Sequence, residues 1–337
     1  MISAVQQATC TVVISRGQSR NPQKRGLEQA IADAAEKTEG VNVLVIPHLY
    51  DLPKGSDSYQ QLAAIEGDLI VVSWIYARAA HWVLDRNGIQ GQVGVVELGD
   101  ESAEDDEDEF SPDQSEQSET VESDPVDRVT DLYPRPDRNI HCIDLKLAND
   151  ADVFLNEIRR IIGQDSKSDG SLPIVGGKLV QVEEQTSRRW YPVIDFSRCT
   201  NCMECVDFCL FGVYGVDGTE NILVEQPDNC RKGCPACSRV CPENAIIFPQ
   251  HKAPAIAGAQ TDGDEGFKSD LSQLFGAPAT GEDPIATAAR ERDEQLLLAG
   301  RETVGIDEQL KKRQADLAAE PKDQLDRLID SLDEFDL

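Results

Sequence analysis

"CRKGCPACSRVCP", residues 230–242, places four cysteines within twelve positions and a proline after the last. The spacing is Cys230-x3-Cys234-x2-Cys237-x3-Cys241-Pro242, and a second run upstream reads Cys199-x2-Cys202-x2-Cys205-x3-Cys209. Eight of the ten cysteines therefore fall between 199 and 241. Three thiolates this close on a turning loop suit three corners of an iron–sulfur cube, with backbone N–H groups free to point at the sulfides. Zinc prefers two well-separated C-x2-C knuckles, and a C-x2-C-x2-C triplet would crowd one tetrahedral ion. Disulfides need an oxidising compartment. The start, "MISAVQQATCTVVISRG", has no basic stretch followed by an apolar one, so no secretory leader is expected.

The two runs belong to an internal repeat: "VIDFSRCTNCMECVDFCLFGVYGV" answers "VEQPDNCRKGCPACSRVCPENAII". Each half reads as a short strand, a cysteine loop, a helical turn carrying the fourth cysteine, and a second strand. Over residues 189–250 the chain resembles the bacterial-type ferredoxins with two [4Fe–4S] clusters. That resemblance implies a small α+β module in which Cys199, Cys202, Cys205 and Cys241 hold one cluster. Cys230, Cys234, Cys237 and Cys209 hold the other, in the crossed arrangement of this spacing. Two departures stand out. Leu210 occupies a place where the family often has proline, and it can still shield the site. The "RKG" gap is one residue longer than usual, so one residue must bulge outward. Gly233 is best able to take the φ this requires. Arg231 and Lys232 then sit beside the second site, where positive charge favours the reduced state and predicts the higher potential.

The first hundred residues alternate short β-branched runs, "CTVVIS" (10–15), "VNVLVIP" (41–47), "DLIVVS" (68–73) and "QVGVVEL" (92–98), with helical stretches. Such runs suit strands covered on both faces. Pro22 opens one helix and Gly40 closes it. "NIHCIDLKL" (139–147) and "DADVFLNEIRRIIG" add a further strand and helix, with Asp150 or Asp152 near the cap. The β-α-β-α-β order predicts an α/β domain with a parallel sheet in three layers, over 1–99 and 139–163. Cys10 and Cys142 fall in its strands and read as buried thiols.

"VVISRGQSRNPQ" contains neither GxGxxG nor GxxxxGK[ST], so no dinucleotide fingerprint or P-loop is present. Arg16 and Arg20 at a helix entrance could receive an anion or be solvated loop residues. Over about 10–98 the chain is similar to the small sirohydrochlorin and cobalt chelatases. "ISRGQSRNP" matches their "GHGSRDP" turn in layout, and "VVSWIYARAAHWVLD" resembles a strand and turn that carry a metal-handling histidine. That match puts His81 at the histidine position and Arg16 where the other histidine stands, so the two-histidine site is broken. Arg16, Arg20 and His81 are thus cleft candidates.

The formal charge of −30 argues against a nucleic-acid partner. Residues 100–125 carry thirteen acids and no base, a composition that predicts a disordered insertion over 100–138. A polar linker is expected over 164–188. A flexible acidic tail follows over 251–337, with amphipathic helices near 284–299, 306–319 and 322–335. The last has Leu325, Leu328, Ile329 and Leu332 on one stripe, suited to packing on its own protein or to docking a partner. No apolar run reaches the length that spans a bilayer, so a cytoplasmic chain is expected. The leading functional expectation is a two-cluster carrier relaying single electrons between redox partners that dock near the cysteine module. The alternatives are an enzyme feeding electrons to chemistry in the α/β domain, and a redox-sensing or assembly protein. An exposed cleft holding Arg16, Arg20 and His81 together would favour the enzyme; scattered positions would favour a scaffold.

Overall fold

The computed structural model describes residues 10–98, 128–163, 178–259 and 284–305. Most of the acidic insertion and the tail segments 306–319 and 322–335 lie outside the described residues. Six strands form one parallel sheet: β1 (Cys10–Ser15), β2 (Val41–Ile46), β3 (Asp68–Ser73), β4 (Gln92–Val93), β5 (Asn139–Asp144) and β6 (Leu179–Gln181). Their spatial order is β4-β5-β3-β1-β2-β6. Helices α1 (Pro22–Ala35), α2 (Asp57–Ala63), α3 (Ala77–Arg86), α4 (Val129–Leu132) and α5 (Ala151–Ile162) accompany them.

Strand alternation divides the core. Val12, Ile14, Val43, Val45, Ile70 and Val72 face α1 and α5, meeting Leu27, Ile31, Phe154 and Ile158. Val13, Leu44, Leu69 and Val71 point the other way, into a cluster with Leu62 of α2 and Ala79, Val83 and Leu84 of α3. Each face of the sheet is covered, which is why the strands read as continuous apolar runs. Local chemistry sets the helix ends. Asn21 Oδ1 accepts a hydrogen bond from Gln23 N at 2.9 Å ahead of Pro22, and Asp150 Oδ1 accepts from Asp152 N at 3.0 Å. Gly163 closes α5 at φ +76°.

Three expectations change. The run at 92–98 pairs only over Gln92–Val93. After Gly94 N reaches Ile140 O, the chain crosses the His141 ring so closely that a Cβ on Gly94 would stand 2.4 Å from Nδ1. An edge segment that rises over a side chain cannot continue the ladder. The stretch read as a linker supplies β6, because Leu179–Gln181 pair with β2 and extend the sheet. Residues 128–138, read as part of the disordered insertion, are anchored: Val129 N donates to Cys199 O at 3.0 Å, and Arg135 pairs with Asp85 at 2.5 Å.

The cysteine region folds as β7 (Val193–Ile194), α6 (Glu204–Phe208), β8 (Tyr214–Val216), β9 (Ile222–Val224), α7 (Ala236–Val240) and β10 (Ile246–Ile247). β7 pairs antiparallel with β10, and β8 with β9, so the outer strands of the repeat meet and the inner strands meet. The short helix α8 (Pro254–Ala257) follows, with Ala257 and Ile256 buried. In the tail, where a helix is expected near 284–299, helix α9 (Pro284–Leu298) packs on α7 through Ile285 and Ala288. Small residues on both helices allow that close approach.

The two parts share a core. Tyr191, Val193 and Ile247 belong to the same apolar cluster as α3. Tyr50 and Tyr191 stack at 4.3 Å and exchange hydrogen bonds: Tyr191 N donates to Tyr50 Oη at 2.6 Å, and Tyr191 Oη donates to Tyr50 O at 3.0 Å. Arg78 of α3, almost wholly buried, pairs with Asp195 at 2.5 Å and donates to Asn244 O at 2.6 Å.

Candidate functional site: two four-cysteine cavities

Each cysteine loop ends in a five-residue helix whose last cap is the fourth cysteine, Cys209 after α6 and Cys241 after α7. Helices this short do not persist alone; α6 and α7 pack against each other. That contact turns each fourth cysteine toward the opposite loop. One small cavity is lined by Cys199, Cys202, Cys205 and Cys241. A second is lined by Cys230, Cys234, Cys237 and Cys209. Among the described residues no three His, Cys, Asp or Glu side chains form a group that could hold a single metal ion. The thiols stand around each cavity instead.

The loops reach this geometry through residues that accept left-handed backbone. Asn201 (φ +59°) and Met203 (φ +67°) turn the first loop. The Asn201 side chain ties that loop to β9, accepting from Ile222 N at 2.9 Å and donating to Glu220 O at 2.6 Å. Asparagine tolerates this region better than most residues, a signal the spacing argument did not use. In the second loop Gly233 takes φ +86°, and a Cβ there would meet nothing within 4 Å, so the extra residue bulges into open space. Arg231 lines the second cavity, whereas Lys232 is exposed and does not. Phe211, not Leu210, covers the cavity beside Cys209.

Burial pushes the thiols of Cys199 and Cys234 up to about 11, and raises those of Cys205, Cys209, Cys230, Cys237 and Cys241 as well. Neighbouring thiols add to the effect within each set. Cys241 acts on Cys199 and Cys205, and Cys209 acts on Cys230, Cys234 and Cys237. Four thiolates so placed require a compensating cation, and their donor chemistry fits iron, whose binding would expel the thiol protons. The linings differ in charge. Glu204 and Glu243 flank the first cavity, while Arg231 and Arg292 flank the second. Two thiolate positions receive hydrogen bonds: Ala245 N donates to Cys241 Sγ at 3.3 Å, and Tyr214 Oη donates to Cys237 Sγ at 3.1 Å.

A separate open cleft of about 720 Å3 lies at the carboxyl ends of β1, β2 and β6, walled by Arg16, Arg25, His48, Asp51, Glu183 and Arg188 among others. Ligand crevices in open parallel sheets form at such strand ends. Arg16 reaches this cleft and donates to Gln181 Oε1 at 3.1 Å. Arg20 is exposed outside its lining. His81 is buried on α3 with Trp82 edge-on at 5.0 Å, and does not line the cleft. The three candidates are therefore not brought together. The histidine that does reach the cleft, His48, follows β2 and stands 3.4 Å from Asp51. Asp51 also accepts from Gln18 at 2.6 Å, Gln250 at 3.0 Å and Arg189 N at 3.1 Å, so two residues of the cysteine module hold a carboxylate of the cleft wall without lining the cleft themselves. Although burial opposes it, His48 first, then Arg189 N and Gln18, hold the Asp51 carboxyl below its ordinary range. Cys10 and Cys142 are buried free thiols, each pushed up to about 12 by burial.

Comparison with known proteins shows that one segment of the chain is similar to a ferredoxin. The relative is an uncharacterized ferredoxin of Methanocaldococcus jannaschii, 48% identical over 66 residues, which are 19% of this chain and 44% of that protein. The chain thus spans less than half the length of the relative it matches. No family model matches the chain, and no solved structure matches it. No helix among the described residues is long and apolar enough to cross a membrane.

Proposed function

We propose that this chain is an iron–sulfur protein that holds two [4Fe–4S] clusters and relays single electrons between redox partners. The carrying observation is the pair of cavities, each walled by three cysteines of one loop and the fourth from the other half of the repeat. When bound, each cubane supplies a one-electron couple. The protein's part is to present four thiolates at four corners of each site, to cover the first with Ile194, Ile222 and Ile246 and the second with Phe208, Phe211 and Tyr214, and to exclude water. The ferredoxin-like segment supports the same reading.

The test is iron and sulfide analysis with EPR of anaerobically reduced full-length protein. About eight irons and two interacting signals are expected. Cys241→Ser should disturb only the signal of the Cys199 set, and Cys209→Ser only that of the Cys230 set. One bound zinc, or loss of the Cys230-set signal on changing Cys241, would overturn the assignment.

A second reading has its own support. Asp51 is shared between the cleft and the cysteine module through Arg189 and Gln250. That link through Asp51 favours chemistry in the α/β domain served by the clusters; the likeness to chelatases belongs to this reading. Reduced protein that turns over no small molecule but reduces a carrier protein would leave the first reading alone.

A further inference from the structure

We infer that helix α9 and Tyr214 make the second cavity the more oxidising of the two sites, with Arg292 of α9 as the dominant positioning residue. This rests on reading both cavities as iron–sulfur sites. Positive charge and hydrogen bonds to cysteine sulfur stabilise the reduced, more negative form of a cluster, whereas carboxylates oppose it. The second cavity has both favourable features. Arg292 reaches its wall from more than fifty residues beyond Cys237, is 5% exposed, and stacks over Phe208 at 4.6 Å. Its charge acts directly on Cys209 and Cys234. Tyr214 Oη donates to Cys237 Sγ in a fully buried setting.

The opposing charges are fewer or already engaged. Arg292 pairs with Asp293 at 3.0 Å and donates to Gly305 O. Glu291, which outweighs Arg292 at Cys234 but is not among the groups acting on Cys209, is held by Arg239 at 2.9 Å. Neither acid lines the cavity, and both Arg231 and Arg292 do. At the first cavity the charge inverts, although Cys241 there also accepts a hydrogen bond, from Ala245 N at 3.3 Å: Glu204 and Glu243 are the charged groups of the wall, and the Glu243 partner, Arg128, stands outside it at 2.9 Å from the carboxylate. Cys202 of that set is exposed, which leaves its surroundings screened by water. Burial decides the ranking among the cations. Arg231 and Lys232 are exposed and screened, so Arg292 outweighs them. The more oxidising site is then the one packed against α9 and, through Cys230, against the core of the α/β domain.

The experiment is an EPR-monitored potentiometric titration of the anaerobically purified full chain. Two separated midpoints are expected, with the Cys209→Ser variant identifying which belongs to the second cavity. Arg292→Gln and Tyr214→Phe should each lower that midpoint and leave the other unmoved. Arg292→Lys should restore most of it, and Arg231→Gln should shift it less than Arg292→Gln. Coincident midpoints in the unaltered chain, or a second-cavity midpoint unmoved by both Arg292→Gln and Tyr214→Phe, would sink the inference while leaving the clusters in place. Protein without iron would instead defeat the underlying reading, and this inference with it.

Discussion

Gly233 shows how a single backbone angle accommodates an irregular motif. Its φ of +86° belongs to the region where side chains clash with their own backbone, while the space beside it is open. Gly233→Ala should therefore cost about 1–2 kcal/mol through backbone strain alone, measured by denaturant unfolding of the anaerobic protein, with iron content unchanged. Asn201 serves the first loop by a different route, since its side chain replaces backbone contacts that a left-handed residue cannot make. His81 is the residue at odds with its surroundings. It is 3% exposed, its Nδ1 has no hydrogen-bond partner, and burial pushes its pKa down to about 4, with the nearby Arg135 adding to the shift.

At the scale of elements, α3 is the joint. Its Arg78 forms a buried ion pair with Asp195, and burial draws the arginine below its ordinary range even though Asp195 opposes that shift. Removing one member of a buried pair strands the other. Arg78→Ala should cost about 3–5 kcal/mol in chemical denaturation, and a much smaller loss would mean that water reaches Asp195. Helix α9 is held differently, by Ile285 and Ala288 against Phe208, Cys234, Ala236 and Val240. Because Ala288 is fully buried, Ala288→Leu should overpack the contact and destabilise it by about 1–3 kcal/mol, read as earlier release of iron from the second cavity on warming.

For the whole molecule, acid sensitivity has an identifiable source. His81 titrates near its ordinary 6.5 when unfolded and at about 4 when folded. The unfolded chain therefore binds the extra proton between those values, so stability is full above about 6.5 and falls as pH drops toward about 4. The loss over that window is on the order of 3 kcal/mol. His81→Leu should flatten this limb in denaturation curves taken at pH 7 and pH 5, and also raise stability at pH 5 because it removes an orphaned polar atom. An unchanged slope would show that other groups dominate. Since His81 sits where α3 meets Trp82 and Phe196, the effect reports on the joint between the two parts of the chain.

The parallel sheet and the eight clustered cysteines were legible in the sequence because each is written in local periodicity or spacing. Apolar runs of five or six residues bounded by caps can be little else than covered strands, and C-x2-C-x2-C-x3-C admits few ligands. Features that depend on distant partners were hidden. β6 lies in a stretch with no strand pattern of its own and is a strand only because β2 has an open edge. Arg292 reaches Cys209 across more than eighty residues, and its helix has no marked apolar stripe to announce a docking face. His48, rather than Arg20 or His81, reaches the cleft because the turn after β2 carries it there beside Asp51. The residues of "CRKGCPACSRVCP" by themselves determined which thiols exist and how far apart they stand along the chain. Only the packing of α6 on α7, and of α9 on both, decided which thiols share a cavity and which charge faces each, because electrostatic and steric neighbours are set by distance in space.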